Sequence, residues 1–276
     1  MKHKKILFHA DDYGRSVEIS KNILKCLKYG CLNSVSVIIN RDTSSHNSLK
    51  KLKNINLKLH LNLTELQTSK SSKKKFLKNL SFFKLFFLNN FEKKIIINKI
   101  NSQIKKFIKI YRPKNLKIDG HEHVHMIPWI FKYLLKQKKK YNIQQLRNSN
   151  ELLMPPRLKD LISYRYIRNF FACIFVKVLY YYNKEINLNS PQFTGILYSG
   201  VQNIYTIKKT LNFYKRKNYE NYEILIHPGY TSLKEKTKFK KEYFNFYSSK
   251  NRKTEYKLCF LKKIKKELKF NTSIIF

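Results

Sequence analysis

Short apolar runs alternate with amphipathic stretches along most of this chain. Runs of strand length occur at residues 4–9, 35–39, 57–63, 116–119, 143–146, 195–198 and 223–226. Between and after them, apolar residues recur at helical spacing over residues 16–27, 44–52, 95–111, 130–141, 205–216 and 257–268. Strands that alternate with helices in this way predict an α/β fold with a parallel sheet.

Two segments do not follow the alternation. Residues 65–90 are rich in Lys and Ser and then in Phe, without a clear period, and residues 148–195 are equally irregular. We find no internal repeat and no linker composition that would divide the chain. The sequence therefore predicts one domain over residues 1–276, with an inserted flap at about 65–90 and a second variable insertion at about 148–195.

Polar residues cluster where the predicted strands end. In a parallel barrel or open sheet the carboxyl ends of the strands share one rim, and active sites lie there. Several polar clusters on one rim predict an enzyme. The residues concerned are Asp11 and Asp12, Asn40, His60, Asp119 with His121, Arg147, and His227.

The adjacent pair Asp11 and Asp12 follows the first predicted strand. One carboxylate of such a pair can bind a metal while the other takes a proton from water. The competing interpretation is a helix N-cap, because Asp is a favoured cap residue and a helix follows.

Residues 121–125 match the HExxH pattern of zinc proteases. That mechanism needs an α-helix, so that His121 and His125 share one face. Gly120 and a strand-like run precede the string and Pro128 follows it, so the required helix is not predicted. The protease interpretation is therefore disfavoured.

The other interpretation places His121 at a strand end, close to Asp12 and His60. Two imidazoles and one carboxylate make a catalytic metal site that leaves positions open for water. His123 and His125 are then candidates for substrate contact, for support of the ligands, or for simple packing.

Three further residues are candidates because of where they lie. His227 closes the last clear strand and is a candidate general acid, unless it only belongs to the turn that Pro228 and Gly229 predict. Arg147 is a candidate for holding a polar substrate or orienting a carboxylate. Asn40, which follows another strand, is a candidate substrate contact.

The charge of the chain is extreme. Lys and Arg number 58 against 17 Asp and Glu, which gives a net charge of +41 and a pI of about 10.1. A basic protein of this kind suggests a nucleic-acid binder, but abundant Lys, Asn, Ile, Tyr and Phe also indicate the codon bias of an AT-rich genome. Hydrophobic residues make up 42% of the chain and aromatic residues 14%, which excludes a disordered polybasic protein.

Membrane and disulfide signals are weak. The apolar run after the basic N-terminus is too short for a signal peptide, and residues 170–182 are too short to span a bilayer. The sequence predicts a soluble cytoplasmic protein, with peripheral membrane contact through residues 70–91 and 170–182 as an alternative. The four cysteines show no pattern of a disulfide scaffold or zinc ribbon.

Four pieces of sequence together resemble one known family. They are HADDYGRS at 9–16, HLNLT at 60–64, DGHEHVHMIP at 119–128 and IHPG at 226–229. In order and spacing, over about residues 4–230, they resemble the YdjC-like carbohydrate deacetylases, which include chitooligosaccharide and hopanoid-associated deacetylases. The resemblance implies a distorted (β/α) TIM-like barrel, a divalent metal, and hydrolysis of an N-acetyl group on an amino sugar.

The resemblance also implies roles for individual residues. Asp11 corresponds to the base that assists attack of a metal-activated water on the acetyl carbonyl. Asp12, His60 and His121 correspond to the metal ligands, and His227 to the site histidine of the last motif. Family resemblance implies magnesium, whereas two imidazole ligands favour zinc or another transition metal.

The expected partner is an N-acetylated sugar, either a chitooligosaccharide or a related glycan. Segments 65–90 and 148–195 match the family poorly, so the particular sugar is left open. A lipid-linked sugar at a membrane surface and, in a different class, nucleic acid are the alternatives, although the charge does not require nucleic acid. A homodimer is compatible with the sequence.

Overall fold

A computed structural model describes residues 5–42, 44–65, 80–183, 190–217, 219 and 221–270. Their strands form one sheet in which every pairing is parallel, in the order β5-β4-β3-β2-β1-β7-β6. The sheet curls into a half-barrel. Its strands are β1 Lys5–Tyr13, β2 Ser34–Val37, β3 Asn56–Leu61, β4 Leu116–Gly120, β5 Ile143–Leu146, β6 Gln192–Thr194 and β7 Asn221–Ile226.

Helices follow most of the strands, as the alternation predicted, so the α/β fold is confirmed in a single domain. The helices are α1 Val17–Tyr29, α2 His46–Lys50, α3 Asn90–Tyr111, α4 Pro128–Lys136, α5 Lys138–Tyr141, α6 Leu158–Leu161, α7 Tyr164–Tyr182, α8 Ile204–Arg216, α9 Lys241–Tyr247, α10 Lys250–Leu258 and α11 Lys262–Phe270. Short 3₁₀ helices lie at Phe83–Phe86, His121–Met126 and Leu233–Lys238. No described helix is both long and apolar enough to cross a bilayer.

The two faces of the central strands differ in chemistry because side chains alternate along each strand. Ile6, Phe8 and Ala10 of β1 belong to the large hydrophobic core. Between them, His9 contacts Ser34 of the neighbouring β2 through a hydrogen bond of 2.6 Å. Polar side chains thus line the inner face of the half-barrel, and apolar side chains pack beneath the helices.

A second, smaller core holds α7 against the half-barrel. Cys173 and Val176 of α7 pack with Phe193 and Leu197 from the region around β6. On the same helix, Phe175 contacts the rings of the 3₁₀ segment 82–86 at centroid distances of 5.9–6.1 Å. Segments 80–88 and 164–182 therefore form one continuous wall beside the half-barrel.

Most predicted elements agree with the structure to within a few residues, and three do not. The predicted strand at 195–198 is a turn, and β6 ends just before it at Thr194. Gly195 has φ +143°, and a Cβ there would lie 2.5 Å from Leu225 Cβ, so the chain turns at the one residue that can pass so close. The predicted helix 130–141 is divided between α4 and α5, and the predicted helix 257–268 between α10 and α11.

The irregular segment 148–195 contains α6, α7 and β6. Helix α7 has aromatic and other apolar residues on both its buried and its exposed face, so its sequence shows no alternation of apolar and polar positions at helical spacing. Of the predicted flap at 65–90, residues 66–79 lie outside the described residues, and the remainder includes the 3₁₀ helix Phe83–Phe86.

Candidate active site

The end of β1 directs two neighbouring carboxylates into one cavity of about 770 Å³. In a regular strand Asp11 and Asp12 would point to opposite faces. Here the register of β1 against β2 shifts between Ala10 and Tyr13, and Asp12 takes a left-handed φ of +72°. A left-handed non-glycine residue is strained by about 1–3 kcal/mol. The bulge explains how adjacent aspartates both reach the cavity.

Asp12 meets His60, near the end of β3, and His121, which directly follows β4. Asp12 Oδ1 lies 3.5 Å from His60 Nε2 and 3.2 Å from His121 Nδ1. A tetrahedral ion with bonds of about 2.0–2.2 Å holds its ligand atoms roughly 3.3–3.6 Å apart, close to these distances. The described structure thus brings together the three residues that the sequence suggested as ligands.

Two observations test whether this triad suits a cation. Asp12 Oδ1 is buried and makes no aligned hydrogen bond, so it has an unused lone pair directed at the two rings. Two imidazoles and one carboxylate also form a mixed N/O donor set that leaves coordination positions open. The residues present therefore fit a divalent metal, although they do not identify which one.

The charges around the triad agree with that fit. Burial lowers the pKa of His60, but Asp11 and Asp119 outweigh it and raise the pKa to about 10. Burial raises the pKa of Asp12, but contacts with His121 and His60 hold that pKa well below its usual range. The surroundings thus favour positive charge next to an ionised Asp12.

Each residue of the triad is fixed by a neighbour. His60 Nδ1 donates to Asp119 Oδ1 at 2.7 Å, which turns Nε2 of the same ring towards Asp12. The Tyr247 hydroxyl donates to Asp12 Oδ2 and leaves Oδ1 facing the histidines. Arg15 Nη1 lies 3.2 Å from His121 Nε2. A carboxylate that accepts from the second nitrogen of an imidazole, as Asp119 does from His60, holds ligand orientation and tunes metal affinity.

We expect Tyr247→Phe to weaken cation binding about 10–100-fold, because the change removes the hydroxyl that orients Asp12. It also leaves Asp12 Oδ2 buried without that donor, which costs about 1–3 kcal/mol of unfolding free energy. Titration calorimetry and urea denaturation measure the two effects. Tyr29→Phe, at a tyrosine 67% exposed on α1, is the matched control. Unchanged cation affinity in Tyr247→Phe would contradict the assigned orienting role.

The HExxH string does not form an α-helix. Glu122 and His123 have left-handed φ values of +52° and +58°, so the backbone kinks between the two outer histidines. His121 lines the cavity. His125 is buried behind it, with Nε2 3.1 Å from the Arg147 carbonyl oxygen. The protease interpretation fails because its required shared helix face does not exist.

His123 lines the cavity as well, and its Nδ1 lies 2.9 Å from Ser149 Oγ. Burial and the neighbouring His125 lower the pKa of His123 to about 3. It is therefore a neutral hydrogen-bonding group on the wall, in a position to contact a substrate.

Arg147 lies beneath the cavity and not on its wall. Its Nη1 and Nη2 donate to Asp11 at 2.9 and 2.7 Å, its Nη2 lies 2.6 Å from Asp119 Oδ2, and its Nε donates to Glu223 at 2.8 Å. All three N–H-bearing nitrogens are thus committed to buried carboxylates. The suggestion that Arg147 orients a carboxylate fits this geometry, and direct contact with a substrate does not.

Asn40 and His125 are also absent from the cavity wall. Strand β2 ends at Val37, and the chain beyond it bonds back to the turn after β1, through Ile38 N to Tyr13 O and Asp42 N to Gly14 O. That path carries Asn40 away from the cavity. The geometry of the described residues gives no support to substrate contact by either residue.

Asp11 is held as a carboxylate. Burial raises its pKa, but Arg147 and His60 outweigh burial and hold the pKa well below its usual range. His9 Nε2 lies a further 2.9 Å from Asp11 Oδ1. Asp11 is thus ionised and rigidly held on the cavity wall.

His227, which directly follows β7, lines the same cavity. Its backbone N–H donates to Glu255 Oε2 at 2.6 Å, and Arg252 Nη1 donates to its carbonyl oxygen at 3.2 Å. Burial and the Arg252 guanidinium lower the pKa of its ring to about 3. His227 is therefore neutral at rest, with Nδ1 buried and unpartnered.

Sequence reasoning gave no role to four residues that support the site. The sequence alone could have placed His9 beside Asp11, because His9 lies two residues earlier and so shares its strand face. Asp119 was noted as polar at a strand end, but nothing local showed that it contacts His60. Glu223 and Tyr247 join the site from distant parts of the chain without a local signal.

The rest of the cavity wall is mainly aromatic. Phe82 and Phe83 of the 3₁₀ segment face Phe171 and Phe175 of α7 there, and Phe246 of α9 lies near His227. The cavity therefore has a charged end at the carboxyl rim of the sheet and an apolar outer part. A ligand with a small polar group and a larger, less polar body matches that division.

Comparison with known proteins gives consistent results. A family model described as "YdjC-like protein" matches residues 5–269. Proteins named carbohydrate deacetylase are similar over part of the chain: one from Danio rerio is 25% identical over 45% of this chain and 43% of its own length. One from Clostridium beijerinckii is 27% identical over 50% of this chain and 58% of its own length. The chain thus aligns with about half the length of these curated relatives.

A crystal structure shares the fold. It is of an Enterococcus faecalis protein provisionally described as a cellobiose-phosphate cleavage protein, and it covers 98% of this chain and 95% of its own with a TM-score of 0.65. At 18% identity, that likeness concerns the architecture alone.

Proposed function

This chain belongs to the YdjC-like family, and from that premise we propose that it is a metal-dependent hydrolase that removes the N-acetyl group of an amino sugar. The observation that supports the proposal is that Asp12, His60 and His121 lie close enough together to hold a metal ion, in the same cavity as Asp11. The partial relatives named carbohydrate deacetylase support the same reaction class.

The triad Asp12, His60 and His121 would hold a divalent cation, which supplies Lewis acidity towards the acetyl carbonyl and the attacking water. Asp11 accepts a proton from that water, because it is ionised and faces the cavity. Arg147 keeps the Asp11 carboxylate from rotating away through two hydrogen bonds. A fixed base of this kind contributes about 10²–10⁴-fold to rate.

His227 completes the proton path in this proposal. His227 lines the same cavity as the triad, and its Nδ1 makes no hydrogen bond. The proton that Asp11 takes from the attacking water would pass to this neutral ring, which gives it to the nitrogen of the departing amine as the C–N bond breaks, so the step needs no further proton. Hydrogen bonds from the backbone N–H of His227 to Glu255, and from Arg252 to the backbone carbonyl of His227, fix the position of this residue.

The aromatic walls suit the body of a sugar. Tyr243, Phe246 and Phe175 present apolar ring surfaces to the cavity, and His123 adds a neutral polar group. We therefore place the acetamido group at the charged end and the sugar ring against the aromatic wall. A chitooligosaccharide or a related N-acetylated glycan is the substrate class that we propose.

Acetate release tests the function directly. We expect purified protein with added Mg²⁺ or Zn²⁺ to release acetate from N-acetylglucosamine oligomers, and chelator-treated protein to lose that release. Binding of a cation only to the folded state should also raise the melting temperature. No acetate from any N-acetylated amino sugar, in protein whose cation content is verified, would refute the proposal.

A further inference from the structure

One face of α7 presents apolar side chains to solvent. Ile167, Phe171, Ile174, Val178 and Tyr182 follow one another at intervals of three or four residues, so they form one stripe along the helix. These side chains are 39–77% exposed. The opposite face of α7 is buried in the protein, so the stripe is a second apolar face, and it is left in water. The stripe therefore indicates that something covers it.

Exposed aromatic rings of a second segment adjoin this stripe. The ring of Phe83 lies 5.9 Å from that of Phe175 on α7, and both Phe83 and Phe171 line the cavity. Phe87 and Phe91 follow Phe83 in the sequence and are 87% and 67% exposed. We call the stripe together with Phe83, Phe87 and Phe91 the apolar rim, since two of its members, Phe83 and Phe171, line the cavity.

The concentration of exposed apolar residues is local. Of 18 large hydrophobic residues exposed in the described part of the chain, 13 lie in residues 83–91 and 158–182. Scattered single residues would be ordinary for a protein surface, whereas clustering in this way marks an interaction site.

Charge distinguishes between the partners that could cover the rim. Helix α7 carries Arg165, Arg168 and Lys177 and no acidic residue, in a chain of net charge +41. Two copies with that charge repel each other, whereas an anionic surface attracts them. Nucleic acid would satisfy the charge but leave the apolar stripe in water. A basic helix with an exposed apolar face matches an anionic bilayer surface, which offers both acyl chains and negative headgroups.

We propose that the apolar rim rests on the surface of an anionic lipid bilayer, with the cavity opening beside the membrane. This inference concerns an interaction surface and does not depend on the deacetylase chemistry. Contact of this kind lies in the plane of the interface and needs no spanning helix.

Vesicle co-sedimentation tests the inference with the full chain. We expect binding to phosphatidylcholine vesicles that contain phosphatidylglycerol and much weaker binding to phosphatidylcholine alone. Ile174→Asp/Val178→Asp places two charges on the rim without touching the cavity wall, and should weaken binding about tenfold or more. Tyr29→Asp/Leu233→Asp adds the same two charges at exposed apolar residues outside the rim, and this variant should lose far less of its vesicle binding.

Three outcomes would overturn the inference. They are no binding of the wild type to anionic vesicles at low salt, equal loss in both double variants, and a dimer that the rim variant dissociates while vesicle binding is unchanged. Melting temperatures establish that the variants are folded. Acetate release from a water-soluble substrate, assayed without vesicles, reports the proposed function separately.

Discussion

Asp11→Asn is expected to lower kcat by about 10²–10⁴-fold while the protein keeps its affinity for the cation. The change removes the ionised oxygen to which we assign proton acceptance, and it preserves the size of the side chain. Asp12→Asn is expected to lower the affinity for the cation instead, because Asp12 Oδ1 lies 3.5 Å from His60 Nε2 and 3.2 Å from His121 Nδ1. Two adjacent carboxylates thus give two distinguishable phenotypes.

Steady-state kinetics with saturating metal and calorimetric titration of the cation separate the two roles. Restoring activity of Asp12→Asn with excess metal would agree with a ligand role, and excess metal should not rescue Asp11→Asn. His46→Gln, at a histidine bonded to Tyr111 away from the cavity, is a control for loss of a buried polar contact. If Asp11→Asn kept wild-type kcat, Asp11 could not be the base.

The order of strands and helices was largely predictable because a parallel sheet buried on one side keeps a strong local signal. Residues 143–146 were predicted as a strand and are β5 without change. The same logic failed where local pattern and packing disagree. The predicted strand does not form at Gly195, because the backbone there passes very close to Leu225, which is a matter of tertiary packing. In α7 both faces are apolar, which removes the polar half of a helical period.

The site was predictable to the extent that its residues lie at strand ends. His60 and His121 could be placed on one rim with Asp12 from the strand pattern alone. The inner polar network could not be placed, since its members meet across the half-barrel: Lys58 pairs with Glu223, which is 165 residues away. Arg147 illustrates the limit, because its position after β5 suggests exposure to a ligand, whereas the curl of the sheet turns it beneath Asp11.

Arg147→Met is expected to have the largest effect on stability. The guanidinium contacts three buried carboxylates, those of Asp11, Asp119 and Glu223, and is a shared positive partner of all three. Removing one partner of a buried ion pair costs about 3–5 kcal/mol, because charge is left uncompensated in a poorly solvated place. Arg147→Lys keeps one positive charge but cannot hold Asp11 with two parallel N–H groups, so it should recover part of the stability and little of the kcat.

Urea denaturation of the metal-free protein and kinetics of the metal-loaded protein measure these effects. Arg157→Met is the matched control, since Arg157 pairs with Asp160 at 2.6 Å but is 30% exposed, and its loss should cost no more than about 1 kcal/mol. A positioning role predicts that Arg147→Lys lowers kcat far more than it raises KM, because Asp11 loses its orientation while the cavity wall is unchanged. Equal unfolding free energies for Arg147→Met and Arg157→Met would show that the buried guanidinium does not stabilise the inner face. Full kcat in Arg147→Lys would show that the guanidinium does not orient the base.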